Sequence, residues 1–182
     1  MKKIMFSDAF CLTQAVLDGS KTMTRRLLKD NVPLGNWEET KKHLPYKVGE
    51  VVAIAQRYKE VYPNADFEMI GDGFMTESAG WSNKMFVRAE LMPRHIQFTD
   101  VKAERLQDIS DDDIMREGVR YYPASDKRWS NDSGYGYHIP KNGLHLFDTP
   151  YKAFANLFER ISGKGTWESN PFVVAYSFKL ID

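Results

Sequence analysis

An alternating stretch of the sequence reads Phe172-Val173-Val174-Ala175-Tyr176-Ser177-Phe178-Lys179-Leu180. In an extended chain successive side chains point to opposite faces, so the large apolar residues at even numbers share one face. Small and polar residues dominate the other face. The pattern predicts a strand that buries at least one side.

The segment before this strand predicts a helix. Thr149 is a typical N-cap and Pro150 suits the first helical position. Apolar residues then recur at helical spacing up to Gly163, which suits the end of a helix. These apolar residues are Ala153, Phe154, Leu157, Phe158 and Ile161. We expect them to form part of the core.

Other elements follow from the same reasoning. We predict helices from Ser7 or Asp8 to Leu17 and from Ser110 to Gly118. The segments that suit strands or extended chain are Ile4–Phe6, Lys21–Leu28, Val51–Ala55, Met85–Leu91 and His95–Leu106, the last with a bulge near Asp100. Because strands and helices do not alternate regularly, the pattern predicts an α+β fold whose mixed or antiparallel sheet closes as a small β-barrel with packed helices.

The length of 182 residues fits one domain spanning 1–182. Three stretches are rich in turn-forming or irregular sequence and are predicted to be long inserted loops. They are residues 30–46, 59–83 and 120–147. Loops of this length inside a compact domain are often functional.

Charge and composition exclude several classes of protein. Lys and Arg number 25, as do Asp and Glu, so no overall positive field attracts nucleic acid and any such contact needs a local patch. Cys11 is the only cysteine, which excludes a disulfide framework. The four histidines show no ligand spacing, so we expect no metal and no cofactor. No apolar run reaches the roughly 18 residues of a membrane span, and we expect a cytoplasmic protein.

The densest functional signal is Gly19-Ser20-Lys21-Thr22-Met23-Thr24-Arg25-Arg26. A lysine, two threonines and two arginines follow a predicted helix end, and together they could bind an anion or a nucleotide. The alternative is a solvated edge strand with surface basic residues, and spacing by itself favours that alternative.

The motif Gly19-x-Lys21-Thr22-x-Thr24-x-Arg26 resembles the signature of the ASCH domain family, especially its phage-associated bacterial members. Further segments resemble this family in the right order along the chain. They are Gln14–Gly19, Val48-Gly49-Glu50, Glu104–Ser110, Glu117-Gly118 and Gly165–Pro171. The resemblance implies a PUA-like barrel with a cleft between the barrel and the first helix, lined by the motif.

The family is generally viewed as RNA-binding, so the resemblance implies RNA or a modified nucleoside as the partner. One branch of small bacterial members hydrolyses N4-acetylcytidine with a lysine, a threonine and a glutamate. Matching their motif assigns these roles to Lys21, Thr24 and Glu117. Gly19, Thr22, Arg25 and Arg26 would then belong to the ligand-binding surface.

Two features depart from the family. The chain carries the long loops that the small hydrolases lack. Many longer members have an Arg-Glu pair where this chain has Ala55-Gln56.

Two chemical schemes suit Lys21, Thr24 and Glu117. In the first, neutral Lys21 is the base that activates Thr24, which requires its pKa to fall by roughly 3 units from about 10.4. In the second, Lys21 stays protonated and stabilises an anion while Glu117 carries the proton. Because residues 21 and 24 point to opposite faces of a regular strand, a joint site requires Lys21 to lie in the turn.

Aromatic residues in the predicted loops have two interpretations. Trp81, Trp129, Tyr135 and Tyr137 could stack on the bases of a single strand. They could equally pack the loops onto the core, and we favour that for the group. Three functions therefore remain: binding of RNA or a modified nucleoside, hydrolysis of N4-acylated cytidine, and a non-catalytic accessory role in a mobile element.

Overall fold

A computed structural model describes residues 1–124 and 133–182. Its main sheet has five strands in the order β1-β3-β6-β10-β2. The strands are β1 (Lys3–Ile4), β2 (Met23–Leu27), β3 (Val51–Ile54), β6 (His95–Arg105) and β10 (Phe172–Leu180). β1 pairs parallel to β3 and the remaining pairs are antiparallel. The fold is therefore α+β with a mixed sheet, as predicted.

The alternating stretch at 172–180 forms β10, which lies between β6 and β2. Its pairing with β6 shifts register between Ser177, opposite Asp100, and Phe178, opposite Phe98. Thr99 is therefore the extra residue of a bulge, which confirms the prediction near Asp100. At the two ends of the sheet, Arg26 on β2 donates a hydrogen bond of 2.8 Å to the carbonyl of Met5, just after β1. This contact links β2, at one end of the sheet, to the segment that follows β1 at the other end.

Five α-helices surround the sheet in the described part of the chain. They are α1 (Leu12–Leu17), α2 (Trp37–Lys42), α3 (Tyr58–Val61), α4 (Asp111–Arg116) and α5 (Pro150–Ser162). The α5 prediction is confirmed, with the Thr149 hydroxyl capping the amide of Lys152. The continuous first helix is wrong: a 3-10 turn spans Asp8–Phe10, and Cys11 at φ 54° separates it from α1.

The remaining short strands lie in regions predicted to be loops. β4 (Met69–Ile70) and β5 (Gly73–Phe74) form a hairpin, and β7 (Arg120–Tyr122), β8 (Gly134–Ile139) and β9 (Gly143–Phe147) form a three-stranded antiparallel sheet. The prediction of irregular chain over 120–147 is therefore wrong for these strands. A β-carbon at Gly136 would lie 1.9 Å from the His145 carbonyl oxygen, so its glycine permits close strand approach rather than marking a loop.

Another strand prediction also fails. Residues 85–91 form two 3-10 turns, Lys84–Phe86 and Ala89–Leu91, instead of alternating extended chain. Loop 30–46 contains α2, and loop 59–83 contains most of α3 and the β4–β5 hairpin.

The buried residues form two clusters. The larger packs α1, α4 and α5 against the main sheet and includes Tyr137, which is 1% exposed. The smaller surrounds Tyr58, and Trp81 packs against it. These contacts support the packing interpretation for Tyr137 and Trp81, whereas Trp129 lies outside the described residues. Within the described residues, every helix is too short or too polar to span a bilayer.

Candidate functional site

A cavity of about 630 Å³ opens between β2, the segment after β1, and α5. Its polar lining includes four residues of the predicted motif and Glu117, which follows α4, and its apolar lining comes from α5 and from several other segments. The lining residues are Met5, Phe6, Ser7, Leu12, Lys21, Thr24, Arg25, Arg26, Leu27, Leu28, Lys29, Val32, His43, Leu44, Pro45, Glu117, Phe154, Leu157, Phe158, Ile161, Ser162 and Val174. The helical wall is thus mainly α5, and α1 contributes only Leu12.

Lys21 lies in the turn between α1 and β2, as a joint site requires. Gly19 adopts φ +76°, a conformation that favours glycine, and lets the chain reverse after the helix. The amide of Lys21 then donates to the Ala15 carbonyl at 2.8 Å, which fixes the turn against α1. Because β2 begins at Met23, Lys21 escapes the strand alternation and faces the same cavity as Thr24.

The Lys21 ammonium is buried and fully hydrogen-bonded. Its Nζ lies 2.7 Å from each of three acceptors, which are the Met23 carbonyl, the Glu117 carbonyl and Glu117 Oε2. Three acceptors match the three N–H bonds of an ammonium, whereas a neutral amine has only two. The surrounding geometry therefore favours the charged form.

Burial acts in the opposite direction. Burial lowers the pKa of Lys21 from its ordinary value, and the nearby charges of Arg26 and Arg25 add to this, while Glu117 opposes it. Lysine with a lowered pKa gives up its proton more readily than an exposed one. The site thus holds an ammonium whose nitrogen lies 2.7 Å from a carboxylate oxygen.

Glu117 arrives from far along the chain. It follows the last residue of α4, and Gly118 with φ +105° turns the backbone into the next segment. Lys21 binds one carboxylate oxygen, and Arg25 Nη1 binds Oε1 at 3.2 Å. Both oxygens are therefore held by cations, which fixes the orientation of this carboxylate.

Thr24 lies on β2 opposite Tyr176 and lines the cavity. The residue is 6% exposed. Its hydroxyl makes no hydrogen bond to any residue in 1–124 or 133–182. The hydroxyl is thus available to a ligand in the cavity.

Arg25 belongs to a buried ion-pair network. Besides Glu117, it donates to Glu104 Oε1 from Nε at 2.8 Å and to Asp113 Oδ2 from Nη2 at 2.7 Å. Lys102, whose side chain is more exposed, also belongs to this network, with its Nζ 2.9 Å from Asp113 Oδ2. The sequence predicted Arg25 as a ligand-binding residue, but the structure surrounds its guanidinium with three carboxylates.

Only some of the other residues predicted for the site line the cavity. Arg26 lines the cavity, whereas Gly19, Thr22 and Trp81 are not among its lining residues. The Thr22 hydroxyl accepts a hydrogen bond of 3.4 Å from Arg116 Nε. In the described ranges, no cluster of three His, Cys, Asp or Glu side chains is placed to hold a metal ion.

Sequence reasoning missed the apolar wall and the outer cationic residues. The helical spacing of Phe154, Leu157, Phe158 and Ile161 predicted a buried face but gave no sign that part of it borders a cavity. Lys29 follows the basic motif closely and was a detectable signal. His43 and Glu104 carry no local sequence feature that would have placed them near the motif at residues 19–26.

Comparison with known proteins gives two similar solved structures. A protein from Enterococcus faecalis V583, described by the family model DUF984, is 16% identical with a TM-score of 0.43, covering 100% of this chain and 77% of its own. An ASCH domain from Lactobacillus crispatus JV V101 is also 16% identical with a TM-score of 0.43, covering 98% of this chain and 78% of its own. The second bears the family name that the sequence motifs indicate. No family model matches the chain, and no curated protein matches it.

Proposed function

We propose that the cavity binds a modified nucleoside, either free or as one nucleotide of a short RNA strand. Its volume of about 630 Å³ lies within the range of small-molecule sites, roughly 300–1,000 Å³. Polar groups that can read a base edge lie opposite an apolar wall on which a ring can pack. The zero net charge favours a small ligand or a short strand over extended nucleic acid.

The observation that carries this proposal is the convergence of Lys21, Thr24 and Glu117 on one cavity. The base rests against Phe154 and Leu157 of α5. Its exocyclic substituent faces the Thr24 hydroxyl and the Lys21–Glu117 pair. These three groups supply a donor and acceptor set that an apolar ligand would leave unsatisfied.

The same convergence favours a second function, which is hydrolysis of N4-acylated cytidine. Lys21 first transfers a proton to Glu117. The neutral amine of Lys21 then takes the hydroxyl proton of Thr24. The Thr24 oxygen forms a bond to the acyl carbon, and the C–N bond breaks as the protonated pair returns a proton to the leaving amine. Water then hydrolyses the threonine ester, so the products are cytidine, the carboxylic acid and free enzyme.

The test measures binding and turnover separately. Calorimetry with cytidine and N4-acetylcytidine reports binding, and acetate release reports hydrolysis. Thr24→Val should abolish acetate release, Thr24→Ser should retain part of it, and Thr22→Val is the control because Thr22 lies outside the cavity. Binding without turnover would reject the hydrolase and keep the nucleoside site. Absence of binding to either compound would overturn the proposed function.

A further inference from the structure

The outer part of the cavity contains two cationic side chains and a histidine that form no ion pair with the described part of the chain. Arg26, Lys29 and His43 all line it. Within residues 1–124 and 133–182 none of the three forms an ion pair with a carboxylate. Deeper in the site the pattern is reversed, since Lys21 is paired with Glu117 and Arg25 with three carboxylates.

Of these three residues, Arg26 gives the strongest evidence for a bound anion. Its Nη2 donates to the Met5 carbonyl, but its Nε is buried and has no hydrogen-bond partner in the described part of the chain. A buried donor without a partner costs about 1–3 kcal/mol, so the protein by itself satisfies this guanidinium only in part. A guanidinium offers its remaining donors in a planar fork that matches phosphate or carboxylate oxygens.

The exposure of the three side chains shows which end of the cavity lies nearest the solvent. Lys29 and His43 are exposed, Arg26 is half-buried, and Lys21 and Glu117 are almost fully buried. An anion bound by the outer three would lie at the mouth while the rest of the same ligand reaches the inner pair. A nucleotide has this distribution, with a charged phosphate at one end and a base at the other.

We infer that Arg26, Lys29 and His43 form a phosphate subsite, so that the ligand of this cavity is a phosphorylated nucleoside. This rests on the proposed nucleoside function and adds the charged group that the ligand carries. The phosphate belongs either to a free nucleotide or to the backbone of an RNA strand. Both present negatively charged non-bridging phosphate oxygens to the subsite.

Calorimetry with matched probes tests the inference: N4-acetylcytidine, its 5′-monophosphate, ribose 5-phosphate, and a trinucleotide with N4-acetylcytidine at its centre. We expect the monophosphate or the trinucleotide to bind about tenfold or more tightly than the nucleoside, the effect of one charge-assisted hydrogen bond or more. Preference for the monophosphate identifies a free nucleotide, and preference for the trinucleotide identifies an RNA strand.

Substitutions of the three residues test whether they cause the gain in affinity from phosphate. Arg26→Gln and the double variant Lys29→Gln/His43→Gln should each remove the gain from phosphate. The double variant should leave nucleoside affinity unchanged. The double variant alters only exposed positions, so it remains informative if Arg26→Gln unfolds. Lys59→Gln is the charge-matched control, because Lys59 is exposed on α3 and does not line the cavity.

The outcomes separate the two proposals. Equal binding of the nucleoside and its phosphorylated forms would overturn the phosphate subsite and leave the nucleoside site intact. An equal loss in Lys59→Gln would also overturn it, since the effect would then be general charge. Binding of ribose 5-phosphate without binding of the nucleoside would support the subsite and reject the proposed function. Binding of none of the probes would overturn both.

Discussion

Lys21 Nζ lies 2.7 Å from Glu117 Oε2, although the two residues are 96 positions apart in the sequence. Their side chains are 2% and 6% exposed. A buried charge is tolerated only when it is paired and hydrogen-bonded. The contact therefore fastens the turn after α1 to the end of α4 and builds the inner wall of the cavity at the same time.

Breaking this pair should be costly. Lys21→Met should lower the free energy of unfolding by about 3–5 kcal/mol, because Glu117 then loses the cation on one buried oxygen. The double variant Lys21→Met/Glu117→Gln should lose less than the sum of the single variants. Urea denaturation measures both. Lys2→Met is the control, since the more exposed Lys2–Glu50 pair should contribute about 1 kcal/mol or less. Equal losses at Lys2 and Lys21 would contradict this view of the site.

Two glycines should respond differently to alanine. Gly19→Ala should cost about 1–2 kcal/mol, because its φ of +76° is near the left-handed region and a β-carbon there meets nothing within 4 Å. Gly118→Ala should cost more, because φ +105° lies further from any conformation that alanine adopts. It should also weaken nucleoside binding by displacing Glu117. Thermal unfolding and calorimetry would show this, and a loss of binding in Gly19→Ala with none in Gly118→Ala would oppose it.

Acid should weaken the Arg25 network through Asp113. Burial raises the pKa of Asp113, but hydrogen bonds from Lys102 and Arg25 outweigh it and hold the pKa below its ordinary value. The unfolded chain therefore takes up the proton first, and the stability that Asp113 contributes above about pH 5 is lost as the pH falls through its folded-state pKa. Asp113→Asn should be less stable at pH 7 and should show a flatter pH dependence between 5 and 2. Asp112→Asn, at an exposed position of the same helix, should retain the wild-type slope.

Tyr176 should respond to alkali. Its buried hydroxyl has no hydrogen-bond partner of good geometry among the described residues, and burial raises its pKa to about 12, although the nearby backbone of Tyr46 acts to lower it. The unfolded chain ionises first, so stability should fall as the pH rises from about 10 towards 12.

Removal of the Tyr176 hydroxyl should change the free energy of unfolding in a predictable direction. Tyr176→Phe should raise the free energy of unfolding by about 1 kcal/mol and remove this alkaline loss, because it deletes an unsatisfied buried group. Tyr46→Phe is the control and should destabilise, since its hydroxyl donates to the Lys3 carbonyl at 3.1 Å. Destabilisation by both substitutions would show that the Tyr176 hydroxyl has a partner.

Elements whose signal is local could be predicted from the amino-acid sequence. Alternation at 172–180 specified β10, and Thr149, Pro150 and Gly163 bounded α5 to within a residue. The phase change near Asp100 located the bulge. These features depend on contacts within a few residues or on the pleat of one strand, so the pattern of side chains is enough. The strand predicted from Lys21 to Leu28 was two residues too long at its start, because β2 begins at Met23 and Lys21 lies in the turn that a joint site requires.

The packing of distant segments determines which side chains share the cavity and which charges remain unpaired. Arg25 and Arg26 are neighbours with the same chemistry, yet Arg25 is paired with three carboxylates, whereas Arg26 forms no ion pair and its Nε has no partner in the described part of the chain. The difference arises because the three carboxylates that reach Arg25 come from residues 79 to 92 positions away. Such partners depend on how the chain packs, which no short stretch of sequence encodes.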